Sequence, residues 1–118
     1  GIKDAVMLYP HVEDMNDWYE NIDILLHPGM KEGFCYAVGE AMAKGIPAVI
    51  NDFYGSHDIW NDGFLYQTHD IACRTISALN VVLLQDSKNT TRQNCRKYIE
   101  TFHNMKDMLA SYDQLLGI

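Results

Sequence analysis

Basic residues are scarce in this chain. Lysine and arginine total 9 against 16 aspartates and glutamates, for a formal net charge of −7. Broad binding to a nucleic-acid backbone needs clustered cations, so this balance argues against it. A single nucleotide held by backbone amides stays compatible with it. Cysteine is sparse too. Cys35, Cys73 and Cys95 are far apart, odd in number and without C-x-x-C spacing. That argues against a disulfide frame and a thiolate zinc site, and fits reduced thiols in the cytosol. The five histidines are scattered with no H-x-x-x-H pair, so spacing suggests no metal site. No apolar run is long enough to span a bilayer, and no signal-peptide pattern opens the chain. Gly1-Ile2-Lys3 contains no initiator methionine, which suggests a piece of a longer polypeptide.

What is present fits one soluble domain. A chain of 118 residues, 47 % hydrophobic and 21 % charged, can bury roughly two thirds of its unfolded surface. Asp4 to Pro10 holds a continuous apolar run, the pattern of a strand buried on both faces of a parallel sheet. Val12 to Asn21 has helical spacing at Val12, Met15, Trp18 and Tyr19, with Glu13 and Asp14 in its first turn. Ile22 to His27 reads as a second buried strand stopped by Pro28-Gly29. A loop from Pro28 to Phe34 leads into a predicted helix over Cys35 to Lys44, closed by Gly45 and Pro47. Ala48 to Ile50 is a third strand. A helical turn is expected at Ser56 to Trp60, and a short strand at Gly63 to Gln67. Asp70 to Leu84, Thr91 to His103 and Met105 to Leu116 read as helices, with a polar break at Asp86 to Thr90.

Strands alternating with helices imply an α/β fold: a Rossmann-like parallel sheet of three or four strands with a helical C-terminal tail. Ligands of such sheets bind beyond the carboxyl ends of the strands. The Pro28 to Phe34 loop leaves such an end and feeds a helix N-terminus. Amides near Gly33 to Tyr36 are therefore placed to receive a phosphate. Gly33 lets backbone approach a ligand. Glu32 would sit at the mouth, with Glu40 one to two turns into the helix and leaning back toward it. Carboxylates suit sugar and ribose hydroxyls. Ordinary roles are open for both: Glu40 and Lys44 have the spacing of an exposed helix pair, and Glu32 could be a solvated loop residue.

The segment from Glu32-Gly33-Phe34 through Glu40-Ala41-Met42-Ala43 to Gly45-Ile46-Pro47 resembles the E-x7-E signature of retaining GT-B glycosyltransferases, especially glycosyltransferase family 4. Asn21-Ile22-Asp23-Ile24-Leu25-Leu26-His27-Pro28 is similar to that family's "A-D-I-x-x-x-P-S" strand. Gly55-Ser56-His57-Asp58-Ile59 resembles its "G-G-x-x-E-I" turn, and Gly63-Phe64-Leu65-Tyr66 its "G-x-L-V" strand. A lone E-x7-E carries little weight; four pieces in family order across roughly residues 5 to 85 carry much more.

The resemblance implies that the chain is a single, partial nucleotide-sugar-binding domain, the C-terminal donor-binding part of a two-domain enzyme. The catalytic-partner N-terminal domain would lie outside it. It implies Glu32 as the catalytic-site carboxylate beside the donor sugar and Glu40 on the ribose diol. The amides of Phe34 and Cys35 would hold the diphosphate, with Gly33 permitting the approach. The reaction would move a hexose from a nucleoside diphosphate to an acceptor hydroxyl with retention. The departing charge would be stabilised electrostatically, with no cofactor besides the nucleotide-sugar substrate and no metal. The partners implied are the donor and a carbohydrate or lipid-linked acceptor. The expected location is the cytoplasm, peripheral to the membrane in a longer protein.

Some features depart from the family. Cys35 stands where it prefers glycine, and Gly29 follows the proline in place of serine. The family's Arg and Lys for the diphosphate fall before residue 1, with Lys31 a weak substitute. Two strands of the parent sheet would also be missing, which leaves an open edge able to pair with another copy. His27, His57 and His69 are candidate acid-base groups, His27 the best placed, although a lone loop histidine is more often structural. Cys35 lacks a recognisable His-Asp partner, which argues against a cysteine hydrolase. Trp18, Tyr19 and Trp60 read as packing residues. Met105, Met108, Leu109 and Leu115 form one stripe suited to covering by the missing half of an enzyme. Two rival functions stand beside transfer: a nucleotide-sugar-binding module without turnover, and a domain used for protein association.

Overall fold

The computed structural model describes residues 1–31, 34–61 and 64–117. Three parallel strands form the sheet in the order β1-β2-β3. They are β1 (Leu25–His27), β2 (Ala48–Asn51) and β3 (Leu65–Tyr66). Leu25 lies opposite Ala48, and Ile50 opposite Leu65. The helices are α1 (Met15–Tyr19), α2 (Tyr36–Ala43), α3 (Ser56–Ile59), α4 (His69–Gln85), α5 (Thr90–Phe102) and α6 (Met105–Leu116). This is the expected α/β arrangement, with a three-stranded sheet and a helical tail.

Side-chain alternation along the strands builds two cores. Ala48, Ile50 and Leu65 point to one face, where Val38 and Met42 of α2 and Cys95 of α5 meet them. Val49 and Tyr66 point to the other, against Ala72, Ile76 and Leu79 of α4. Ala48, Val49 and Ile50 of the central strand β2 are thus buried on both sides, which explains their apolar run. A third cluster joins Tyr19 to Ala41 and Ile46, with Trp18 and Ile22 against it.

Helix ends follow local chemistry. The Asp14 carboxylate accepts from the amides of Asn16 and Asp17 at 3.0 and 3.3 Å and starts α1. Thr68 caps α4, and Asn104 caps α6 by accepting from the Asp107 amide at 2.8 Å. Ahead of α5, Asp86 accepts from the Thr91 amide at 2.8 Å. Backbone N–H groups of Thr91 and Thr90 hold the Asp86 carboxyl below its ordinary value. At the end of α2, the Gly45 amide donates to Met42 and the Ile46 amide to Ala41, at 2.9 and 3.0 Å. That paired pattern needs a left-handed residue between helix and strand. Gly45 supplies it with φ +81°.

Asp4 to Pro10 is not a buried strand. Ile2–Ala5 is a single 3-10 turn, and Val6, Met7, Leu8 and Tyr9 are 62, 75, 93 and 59 % exposed. A short apolar run becomes a strand only where a neighbour offers ladder partners, and β1, the nearest strand in sequence, pairs with β2 alone among the described residues. The helix expected over Val12 to Asn21 shrinks to Met15–Tyr19 because Asp14 caps it late. Of the stripe expected on α6, Met108, Leu109 and Leu115 face solvent at 47 to 81 % exposure, and the side chain of Met105 lies outside the described residues.

Gly45 also lies against the backbone of α5. A Cβ there would lie 3.2 Å from the Arg92 carbonyl oxygen. Gly45→Ala should therefore lose about 1–2 kcal/mol from the left-handed backbone alone, and more from the contact. Urea unfolding should show the midpoint falling with an unchanged slope.

Candidate functional site

Pro28 and Gly29 follow β1 at the carboxyl edge of the sheet. The Asn51 side-chain amide, at the end of β2, donates to the Gly29 carbonyl at 3.2 Å and ties this segment to the neighbouring strand. Glu32 and Gly33, the expected sugar-side carboxylate and approach glycine, lie outside the described residues. Phe34 and Cys35 follow and lead into α2. The Phe34 ring meets Trp60 at 5.2 Å and His103 at 5.0 Å between centroids. Tyr98 joins the same cluster, and its hydroxyl donates to the Ile59 carbonyl at 3.0 Å. Phe34 therefore rests on Trp60, which follows α3, and on His103, which follows α5. Gly39, one turn into α2, lets the Phe34 edge lie close; a Cβ there would be 3.1 Å from it.

Cys35 is the N-cap of α2 and has φ +67°, ψ 80°. This left-handed conformation costs a non-glycine residue roughly 1–2 kcal/mol. The glycine of the related motif thus has a physical reason: the backbone must turn left-handed just before the helix. Cys35 keeps the turn and is 8 % exposed, packed in the core with Val38 and Met42. No side chain of the N-cap bonds into the first turn of α2.

Glu40 is exposed on the outer side of α2. It lines an open cleft of about 720 Å³ between α1 and α2, together with Glu13, Asp14, Asn16, Tyr19 and Lys44. Its partner is not Lys44. The Tyr19 hydroxyl donates to Glu40 Oε2 at 3.1 Å and lies 3.3 Å from the Ala37 carbonyl. Burial, followed by the bond to Glu40, pushes the Tyr19 pKa up to about 12. The sequence reading of Tyr19 as packing is thus only half of its environment. The available signal was chemical: a buried tyrosine usually finds a partner for its hydroxyl.

A second polar group at the sheet edge escaped the sequence reading. Asp52 follows β2 and accepts from the buried Ser56 hydroxyl at 2.7 Å, with His57 Nε2 at 3.1 Å. These bonds hold the Asp52 carboxyl below its ordinary 3.8, Ser56 first and His57 second. They fasten α3 to β2. His27 is half-buried at the end of β1, His57 lies on α3 and His69 opens α4, so the three candidate histidines belong to separate elements. Lys31 is exposed. Among the described residues no group of three or more His, Cys, Asp or Glu is placed to hold a metal ion. No helix among them is long and apolar enough to cross a membrane.

The parallel sheet and the helices packed on its two faces define an open α/β domain, with the Glu40 carboxylate at the α1–α2 cleft. The family model for glycosyl transferases group 1 matches residues 1–85, and the chain belongs to that family. It is similar to a GDP-mannose-dependent alpha-mannosyltransferase of Mycolicibacterium smegmatis, 44 % identical over 103 residues, covering 84 % of this chain and 28 % of the relative. An O-antigen chain mannosyltransferase RfbU of Salmonella typhimurium is 28 % identical over 114 residues, 94 % of this chain and 32 % of the relative. Protein CapJ of Staphylococcus aureus is 32 % identical over 57 residues, 48 % of this chain and 15 % of the relative. The matches thus span less than a third of each of these relatives. No solved structure matches the chain.

The Asp52 clasp has a defined pH signature. A carboxyl whose folded pKa is depressed stabilises the fold above its unfolded value and loses that contribution as pH falls through the folded value. Thermal stability should therefore drop as pH falls below 3.8, the ordinary value for Asp52. Asp52→Asn should shrink that acid-side drop, as melting curves across the range would show.

Proposed function

We propose that this chain is the donor-binding, C-terminal part of a retaining two-domain glycosyltransferase of family 4, with GDP-mannose as donor. The observation that carries the reading is Glu40: an exposed carboxylate at a cleft, more than one turn inside the helix that follows the sheet-edge loop. Family membership supports transfer chemistry, and the names of the mannosyltransferase relatives support the donor.

In this reading Glu40 accepts the ribose hydroxyls, the geometry for which a carboxylate is suited. The amides of Phe34 and Cys35 bind the diphosphate at the helix N-terminus, where the dipole favours negative charge. Gly33 admits that approach, and Glu32 contacts the donor sugar as the catalytic-site carboxylate. The bond from the anomeric carbon to the diphosphate oxygen breaks, one to the acceptor oxygen forms on the same face, and the acceptor's hydroxyl proton passes to the departing diphosphate. The leaving charge is met by prearranged donors, and no cofactor other than the nucleotide sugar takes part. The acceptor, a carbohydrate or a lipid-linked one, is held by an N-terminal domain of the longer protein, in the cytoplasm. On this reading the isolated chain binds the donor without turning it over.

One observation favours a second reading, protein association. The apolar stripe on α6 and the segment Val6 to Tyr9 are exposed. A stable oligomer without nucleotide affinity would be its signature.

Calorimetry with GDP-mannose tests the donor reading. Loss of hydrogen bonds to a charged group should weaken binding of Glu40→Ala by about 10- to 100-fold. Equal affinity in wild type and Glu40→Ala would remove Glu40 from the ribose site.

A further inference from the structure

We propose that Tyr19 is a positioning residue for Glu40, fixing its carboxylate so that the nucleotide ribose meets a prearranged acceptor. The inference rests on the donor reading above and adds to it a residue of α1, outside the loop and helix that carry the motif.

The two side chains differ in freedom. Glu40 is exposed and projects on a flexible stem. Left alone in an open cleft, it would lose rotamer freedom whenever a ligand fixed it. Tyr19 is only 2 % exposed. Its ring packs with Ala41 and Ile46 and meets Trp18 edge-on at 5.6 Å and 67°. A ring held in this way presents its hydroxyl at one place. That hydroxyl reaches Glu40 Oε2 at 3.1 Å and the Ala37 carbonyl, one turn earlier on α2, at 3.3 Å. The shorter bond goes to the carboxylate. With its pKa pushed up to about 12, Tyr19 keeps its proton throughout the neutral range and remains a donor.

The geometry leaves the carboxylate usable. Tyr19 engages Oε2, and among the described residues no other group bonds Glu40. Oε1 has its full accepting capacity, and Oε2 retains a lone pair, so a vicinal diol can still be received. The cost of ordering Glu40 is met in the folded protein rather than at binding, which is how preorganisation raises affinity. Packing alone does not call for the hydroxyl, because phenylalanine would fill the same space.

The test uses GDP and 2′,3′-dideoxy-GDP as probes on wild type, Tyr19→Phe, Glu40→Ala and the double variant, by calorimetry. Tyr19→Phe should weaken GDP about fivefold, the worth of one ordinary hydrogen bond. It should leave dideoxy-GDP within about twofold and cause no further loss in the Glu40→Ala background. Equal weakening of both nucleotides, or unchanged GDP affinity while Glu40→Ala still loses it, overturns the role of Tyr19 and leaves the donor site standing. No GDP binding by wild type, or equal GDP binding by wild type and Glu40→Ala, overturns the donor reading and this inference with it. A measurement on the wild-type chain needs no variant to fold. With tyrosine labelled at the ring carbon bearing the hydroxyl, the Tyr19 resonance should shift on adding GDP and stay put with dideoxy-GDP. An unmoved resonance at saturating GDP overturns the proposal.

Discussion

Val38, Ala41 and Met42 are withdrawn from water completely, and the site depends on where their helix lies. Burying a side chain the size of valine or methionine contributes about 1.5–3 kcal/mol. The exposed Arg92–Asp23 ion pair joins α5 to the residues before β1, with neither partner on α2, and an exposed pair of this kind contributes little. Apolar packing, not charge, therefore seats α2 on β1 and β2. Its two ends are then committed. The N-terminus must receive a chain turning left-handed at Cys35, and the C-terminus must leave through Gly45 against the backbone of α5. Glu40, on the face opposite the buried residues, is carried to the cleft as a consequence.

The site is held from three directions by segments distant in sequence. Asn51 ties the loop after β1 to β2, Phe34 rests on Trp60 and His103, and Tyr19 reaches Glu40 from α1. Burial depresses the His103 pKa, so the imidazole that supports Phe34 favours its neutral form, while its Nε2 lies 3.1 Å from the Ile59 carbonyl. The helical tail after β3 is thus part of the support of the loop. Cys35 belongs to the same balance: its backbone strain is offset by a side chain packed into the core.

Much of this was legible in the residues. The helix and strand around the motif are readable because Cys35 to Lys44 is rich in Ala, Val and Met and Gly45-Ile46-Pro47 stops it. The late helices were readable from apolar spacing and from the polar break at Asp86 to Thr90. The first strand was misread because the run Ala5 to Tyr9 carries the composition of a buried strand, whereas strand formation also needs a neighbour to pair with. The Asp52–Ser56–His57 clasp passed unnoticed because its residues are common turn formers, and only the fold of α3 back onto β2 brings them together. The contact of Tyr19 with Glu40 is hidden for a related reason: the hydrogen bond spans 21 residues, and no local periodicity encodes it.

The sequence by itself determined the α/β class, the order of the elements from α1 onward and the family to which the motif belongs. Those properties follow from short-range patterns: strand and helix periods, capping residues and the spacing of two glutamates. Tertiary structure alone decided which polar groups meet. Whether Tyr19 meets Glu40, whether Cys35 must turn left-handed and whether an apolar run finds a strand to pair with depend on distances set by packing between remote segments. Side-chain hydrogen bonds act over about 3 Å, and that precision comes from a packed core rather than from order along the chain.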